Sequence, residues 1–216
     1  CHTLLFRVYL VGIFAIEHNF MLTLPNIGHI HLWDYQNKKV IKITELTNLH
    51  VSCVAYDPKG EYLAVGCTNG VIKILDGTQI EELQHFRPSH AAILDAKFSH
   101  DSLFIGFTDS DNAVGMFKWD HKDQNAQKEV EWVYLGRFKS HKKAIAGLEF
   151  GVIPFGDVPR LMSIGEDRRL IEYDLEASSI AEGIKLKSVH LISQSSIPTS
   201  FLWTQEQEII ERYNNE

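Results

Sequence analysis

Short apolar runs separated by turn residues recur along most of this chain. The stretch VSCVAYDPKGEYLAVGCTNGVIKILD (51–76) holds three such runs, and the turns between them are DPKG (57–60) and NG (69–70). Short runs rich in β-branched and aromatic residues and bounded by Gly, Pro, Asn or Asp are typical of β-strands, and Asn-Gly is a strong hairpin signal. The pattern therefore predicts strand, turn, strand, turn, strand.

The same pattern returns twice further along the chain. ILDAKFSHDSLFIGFTDSDNAVGMFKWD (93–120) has turn residues at 99–101 and 109–111, and IAGLEF (145–150) precedes RLMSIGEDRRLIEYD (160–174). These segments are again short apolar runs between polar turns. The repetition predicts several copies of one small β unit.

The middle runs of these units, such as EYLAVG (61–66) and VIKIL (71–75), are nearly all apolar rather than alternating. Continuous apolar runs of this length indicate strands that are buried on both faces. Helical periodicity is weak, so we expect at most one turn of helix, in EASSIAEGIKLK (176–187). The predicted fold class is all-β.

An Asp closes each unit, and its spacing gives the period. The marker residues are Asp34, Asp76, Asp120 and Asp174, at intervals of 42, 44 and 54 residues. The first two intervals fit a propeller blade, which takes about 40–45 residues. Two polar insertions account for the longer third interval; they are DHKDQNAQKEVE (120–131) and GVIPFGDVP (151–159).

The length allows about four such blades plus part of another, which starts at IPTSFLW (197–203). A ring of seven blades needs on the order of 300 residues, so we expect this stretch to form an open arc. The exposed end faces of such an arc need cover, either from further blades or at the expense of solubility. We divide the chain into an uncertain segment 1–24 and a propeller segment 25–216.

Composition narrows the function classes. The net charge of −7 argues against a nucleic-acid binder, which usually carries a basic stripe. The cysteines Cys1, Cys53 and Cys67 form no CxxC pair, which favours a reducing compartment. The apolar run VYLVGIFAI (8–16) is too short to span a bilayer, and we expect a buried strand pair or an altered end there rather than a targeting signal.

These units resemble the WD40 repeat, which has a His before its first strand, an Asp in its second hairpin turn and Trp-Asp at the end of its third strand. The matching residues are Trp33 and Asp34; His90, Asp111, Trp119 and Asp120; and His141, Ser163, Asp167, Tyr173 and Asp174, with Tyr in place of Trp. The unit ending at Asp76 is degenerate, with Asn69 and Leu75 at two of the motif positions.

The resemblance implies a buried relay in which the Asp binds its turn amides and the His, the His binds a Ser or Thr, and that hydroxyl binds the closing aromatic residue. Such a network stabilises a protein when every member has a partner. We therefore expect these His and Asp residues to be structural rather than catalytic.

Four stretches resemble, more closely, ciliary and flagellar WD-repeat proteins of the calmodulin- and spoke-associated complex. They are GHIHLWDY (28–35), SHDSLFIGFTDSDNAVGMF (99–117), PRLMSIGEDRRLIEYDLEASS (159–179) and IPTSFLW (197–203). This resemblance implies a non-catalytic scaffold of the axoneme, at the base of the radial spoke, that supports motility. Its expected partners are axonemal spoke and complex subunits, with no nucleic acid, membrane, small-molecule substrate or cofactor.

Other functions leave weaker traces. A generic cytosolic WD40 adaptor for trafficking or ubiquitin-ligase assembly is the main alternative, although the Arg that ligase receptors often carry two residues after Trp-Asp is missing here. Phosphate-loop, dinucleotide, zinc-protease and nucleophile-elbow motifs are absent from the sequence. Ser140 to Lys143 fits SxxK and 110–112 reads SDN, but these occur in the wrong order for a penicillin-binding enzyme.

Three further features concern binding. His29 and His31 share one face of a predicted strand, where a hairpin role is favoured over a metal site because no third ligand is near. Asp109, Asp111 and Asp120 are too irregular for a calcium loop. A local basic patch consists of Arg137, Lys139, Lys142 and Lys143. It is either a solvated loop face or a contact for an acidic partner such as tubulin or a spoke subunit.

Overall fold

A computed structural model describes residues 9–14, 20–24, 28–34, 36–46, 49–120, 131–152, 158–193 and 195–203. These residues form sixteen β-strands in four antiparallel four-stranded sheets. The described ranges hold no helix that could cross a membrane. The strands are β1 Tyr9–Phe14, β2 Phe20–Leu24, β3 His29–Asp34, β4 Lys39–Glu45, β5 Val51–Tyr56, β6 Tyr62–Cys67, β7 Ile72–Asp76, β8 Glu82–Phe86, β9 Ile93–Phe98, β10 Phe104–Asp109, β11 Val114–Asp120, β12 Glu131–Phe138, β13 Ile145–Val152, β14 Pro159–Gly165, β15 Arg169–Ser179 and β16 Gly183–Leu191.

Each sheet consists of four consecutive strands, which makes each sheet one blade. Blade 1 contains β1–β4, blade 2 contains β5–β8, blade 3 contains β9–β12 and blade 4 contains β13–β16. Every neighbouring pair within a blade is antiparallel, as expected for strands that are joined by tight turns. The predicted all-β class and the predicted count of about four blades are confirmed.

The predicted turns join the strands of blades 2 and 3. The amide of Gly60 donates to the Asp57 carbonyl (3.0 Å), and the amide of Gly70 donates to the Cys67 carbonyl (3.1 Å). Equivalent bonds close the turns at 99–102 and 109–112 in blade 3. Short polar segments with Gly, Asn and Asp thus place the four strands of a blade side by side.

We expect Gly70→Ala to destabilise the protein strongly. Gly70 has a φ of 82°, and a Cβ built there would lie 2.1 Å from the Ser89 carbonyl oxygen. Backbone strain together with this clash should cost about 3 kcal/mol of unfolding free energy. Gly183→Ala is the control, because Gly183 has a φ of 68° but nothing within 4 Å of its built Cβ. Chemical denaturation in which both variants lose the same stability would contradict the close approach.

Neighbouring blades share three apolar cores, which we call the first, second and third seams. The first seam joins Ile30, Leu32 and Leu46 to Val54, Leu63, Val65, Cys67, Leu75 and Ile80. The second joins Cys53, Ala55, Ala64, Ile72 and Ile74 to Ile93, Ala96, Phe98, Ile105, Phe107, Phe117 and Trp132. The third joins Phe104, Val114, Met116 and Leu135 to Leu148, Leu161, Ile171, Tyr173, Leu175 and Ile184. Blades 2 and 3 are therefore buried on both faces, whereas none of these cores joins blade 4 to blade 1.

The repeat is more regular than the Asp markers indicated. The turn between the second and third strands of each blade holds one residue with positive φ, namely Gly28, Gly70, Asn112 and Arg168, and the first three lie 42 residues apart. The third interval is 56 residues because both insertions lie between Asn112 and Arg168. The first two blade intervals are therefore equal, and Asp120, which lies 44 residues after Asp76, does not occupy the equivalent position in blade 3.

The difference arises because Trp119-Asp120 does not lie at the motif position of blade 3. In each blade the aromatic or aliphatic residue of the motif lies five residues after the positive-φ residue, which gives Trp33, Leu75, Phe117 and Tyr173. Strand register agrees, because Phe117 pairs with Ile105 as Tyr173 pairs with Leu161. Trp119 lies two residues further on, where its ring packs 4.9 Å from Tyr62 and 5.1 Å from Trp132, centroid to centroid.

The structure also bears on the predictions for the helical turn, the two insertions and segment 1–24. The proposed helical turn at 176–187 is wrong, because β15 and β16 form a hairpin there. The insertions are shorter than predicted, since β11 and β12 extend through Asp120 and Glu131 and β14 starts at Pro159; residues 121–130 and 153–157 lie outside the described ranges. Within segment 1–24, strands β1 and β2 complete blade 1.

Candidate functional site

The loop between blades 3 and 4 is held by a chain of buried hydrogen bonds. The His141 ring lies with Nδ1 2.9 Å from Asp167 Oδ1 and Nε2 2.7 Å from Ser163 Oγ. The hydroxyl of Tyr173 lies 2.8 Å from both Ser163 Oγ and Ser140 Oγ. Because an ionised carboxylate only accepts, Asp167 fixes the imidazole with a proton on Nδ1. We call this set the blade 4 relay.

Burial and hydrogen bonding shift the pKa values of Asp167 and Tyr173, two members of the blade 4 relay. Burial works against ionisation of Asp167, but hydrogen bonds from the Lys142 amide (2.9 Å) and the His141 ring outweigh it, so the pKa of this carboxyl lies below its usual value. Burial raises the pKa of Tyr173 to about 12, so its hydroxyl stays protonated. His141 is 1% exposed and sits away from solvent. The arrangement supports the backbone and offers no reactive group to a substrate.

Blade 3 is built differently. His90 and Asp111, expected in its relay, are both exposed, and the buried carboxylate of the turn is Asp109 at 1% exposure. Asp109 accepts from the Asp111 amide (3.0 Å) and the Ala113 amide (3.2 Å) and pairs with Arg137 Nε. In place of the relay predicted for His90 and Asp111, blade 3 has an ion pair between Asp109 and Arg137 of β12.

The Asp of each Trp-Asp position has a local role that sequence reasoning missed. Asp34 accepts from the amides of Gln36 and Asn37, each at 3.0 Å. Asp76 accepts from the Thr78 amide (2.8 Å), and Asp174 accepts from the Ala177 amide (2.9 Å). In blades 1 and 2 these bonds form the Asx turns that redirect the chain from the third strand to the fourth, whereas in blade 4 the bond lies within β15, where the register with β16 shifts.

The basic patch separates into two parts. Arg137 is committed to Asp109 and to Asp111, whose Oδ2 lies 2.7 Å from Arg137 Nη2. Lys139, Lys142 and Lys143 are exposed on the loop whose other members, Ser140 and His141, are buried. Three of the four predicted basic residues therefore lie exposed on one loop, whereas the fourth, half-buried Arg137, is paired with carboxylates of the turn in blade 3.

A buried charge on the free face of blade 4 was not foreseen. At one register position blades 1 to 3 carry Leu32, Ile74 and Met116, each of which packs in the seam with the next blade. In blade 4 this residue is Glu172, which is 7% exposed and pairs with Met162 of β14. A charged residue that replaces Leu, Ile or Met in an aligned repeat is the signal that would have found it.

Glu172 is neutralised by a network. Arg160 donates to both carboxylate oxygens, at 2.7 and 2.8 Å, and Lys187 Nζ lies 3.3 Å away. Hydrogen bonding from Arg160 holds the pKa of Glu172 below its usual value. The Trp203 ring lies over the Arg160 guanidinium at 5.7 Å, so segment 195–203 covers part of this face. The outer face of blade 4 is thus more polar than the three seams between blades.

Neither the metal site nor the SxxK match considered above is supported by the described residues. They contain no group of three His, Cys, Asp or Glu side chains that could hold a metal ion, and His29 and His31 simply line β3. Of the SxxK match, Ser140 is bound to Tyr173, whereas Lys143 points to solvent. The hydroxyl and the amine are therefore not arranged as a nucleophile and its base.

Known proteins resemble this chain in sequence and in fold. The model of the anaphase-promoting complex subunit 4 WD40 domain matches residues 21–121. Cilia- and flagella-associated protein 251 of Mus musculus is 35% identical over 179 residues, which is 82% of this chain and 13% of that protein. The protein of the same name from Tetrahymena thermophila is 26% identical over 203 residues, 82% of this chain and 20% of that protein. The chain thus spans at most a fifth of either relative.

The fold similarity extends to distant proteins. The crystal structure of Kluyvelomyces marxianus Hsv2 superimposes with a TM-score of 0.62 at 16% identity, covering 82% of this chain and 60% of that one. At this identity the likeness concerns the fold alone.

Proposed function

Because this chain belongs to the WD40-repeat β-propeller family, we propose that it is a non-catalytic protein-interaction scaffold of cilia and flagella. The proposed place of action is the axoneme, at the base of the radial spoke, where the scaffold supports beating by binding spoke and complex subunits. The observation that carries this proposal is the 35% identity, over 82% of the chain, to cilia- and flagella-associated protein 251 of the mouse.

The geometry agrees with a binding role. In the blade 4 relay and the Asp109–Arg137 pair, buried polar groups are engaged with one another. What the blades present to solvent is turns, loops and the edges of outer strands such as β4. Such surfaces serve recognition, with the rigid blades as their support.

Localisation tests the proposal. The full-length protein with a fluorescent tag should remain on axonemes after detergent removes the ciliary membrane and soluble matrix, and its loss should lower beat frequency. A tagged protein that is entirely extracted by detergent would contradict an axonemal role. Recovery mainly with cullin adaptors or vesicle coats would instead support the cytosolic adaptor alternative.

A further inference from the structure

The loop at 139–143 displays its lysines from a fixed backbone. Ser140 is 7% exposed and His141 is 1% exposed, and both are held in the blade 4 relay. The amide of Lys142 is also bound, donating to Asp167 Oδ2 at 2.9 Å. Three consecutive residues are therefore tied down, so a ligand that binds here orders side chains but little backbone.

The three ammonium groups of this loop are available for a ligand. Lys139, Lys142 and Lys143 are exposed, and no ion pair within the described part of the chain involves them. Of the nearby carboxylates, Asp109 and Asp111 bind Arg137 and Asp167 binds the relay. Exposed Glu166, whose amide donates to the Ala144 carbonyl (2.9 Å), adds one negative charge beside the three ammonium groups. The local field is thus positive on a chain whose net charge is −7.

The end of the blades away from the lysine loop carries more negative than positive charge. Because neighbouring strands are antiparallel, turns alternate between two ends of each blade. At the end away from the lysine loop, seven carboxylates outnumber four lysines; the carboxylates are Asp34, Asp57, Glu61, Asp76, Asp101, Asp174 and Glu182, and the lysines are Lys38, Lys39, Lys59 and Lys185. A negatively charged partner is therefore repelled from that end and attracted to the loop.

We propose that the loop at 139–143 is a docking site for an acidic peptide segment of a partner protein. This inference rests on the proposed scaffold function and adds the chemistry of one partner. Three ammonium groups on a largely fixed backbone can pair with successive carboxylates of a short segment. A nucleic acid is disfavoured because the acidic remainder of the chain repels a long polyanion.

Binding of a short fluorescein-labelled oligoglutamate peptide, followed by anisotropy, tests the inference. The full chain should bind the peptide with an affinity that falls as salt rises, and the double variant Lys142→Glu, Lys143→Glu should weaken binding by about tenfold or more. The charge-matched control is Lys59→Glu, Lys185→Glu, at the opposite end, which should change affinity by about twofold at most. Circular dichroism and melting should show that both variants are folded.

Three results would overturn the inference. These are no binding of oligoglutamate at low salt, equal weakening by the two double variants, and stronger loop-dependent binding of a single-stranded oligonucleotide than of the peptide. The ciliary proposal is tested separately, because the Lys142→Glu, Lys143→Glu protein can be localised in the same cells. If peptide binding fails while the protein stays on axonemes, the docking inference falls and the proposed function stands.

Discussion

Arg137→Ala is expected to remove about 3 kcal/mol of unfolding free energy, because it leaves a buried carboxylate without its counter-charge. The side chain of Asp109 is fully buried, and Arg137 provides its paired charge from β12. The two remaining amide bonds to Asp109 stabilise the anion only in part. Chemical denaturation measures the loss.

Two further variants separate the ion pair from other effects of Arg137. Lys139→Ala, two residues away but exposed, should change stability by about 0.5 kcal/mol or less. Adding Asp109→Asn to Arg137→Ala should recover part of the loss, since it removes the unpaired buried charge. If Arg137→Ala is as stable as Lys139→Ala, Arg137 is a surface residue and the assignment is wrong.

His141→Ala is expected to cost a similar amount, about 3 kcal/mol, by a different route. The substitution empties the space of a buried ring and leaves Ser163 Oγ and Asp167 Oδ1 without their bonds to the imidazole. Asp167 still accepts hydrogen bonds from the amides of Lys142 and Arg169, so we expect the loop to become more mobile but to remain folded. Denaturant titration followed by tryptophan fluorescence measures the change.

His90→Ala is the matched control, since His90 precedes blade 3 as His141 precedes blade 4. His90 is exposed, so its removal should alter stability by about 0.5 kcal/mol or less. Equal effects at the two positions would mean that the two blades use their histidines alike, contrary to the geometry described above.

Local signals explain which parts of the fold were predictable. The turns at 57–60 and 69–70 and the all-β class follow from nearest neighbours, because Gly, Pro, Asn and Asp set the turns and the apolar runs set the strands. The register of blade 3 could not be predicted in this way, because KWD at 118–120 has the sequence of the Trp-Asp motif but does not lie at the motif position. Its true position depends on the hairpin that pairs Phe117 with Ile105.

In the candidate site, too, some contacts could be predicted from the sequence and others could not. For the blade 4 relay, the sequence names His141, Ser163, Asp167 and Tyr173, and the structure places them within hydrogen-bond distance of one another. For blade 3 the decisive residue, Arg137, lies 28 residues from Asp109, and pairing over that separation leaves no local pattern. Glu172 was missed because alignment of the repeats on Asp120 places Lys118 instead of Met116 at this position of blade 3, so a charge there does not stand out.

The account rests on one claim, that this stretch is a row of four-stranded blades joined by apolar seams. Hydrogen exchange with mass spectrometry tests it most directly, because backbone amides of buried central strands exchange slowest. We expect separate maxima of protection at β6, β10 and β14, with weaker protection at the outer strands β4, β8 and β16. Uniform protection across 51–193, or maximal protection in the outer strands, would contradict it.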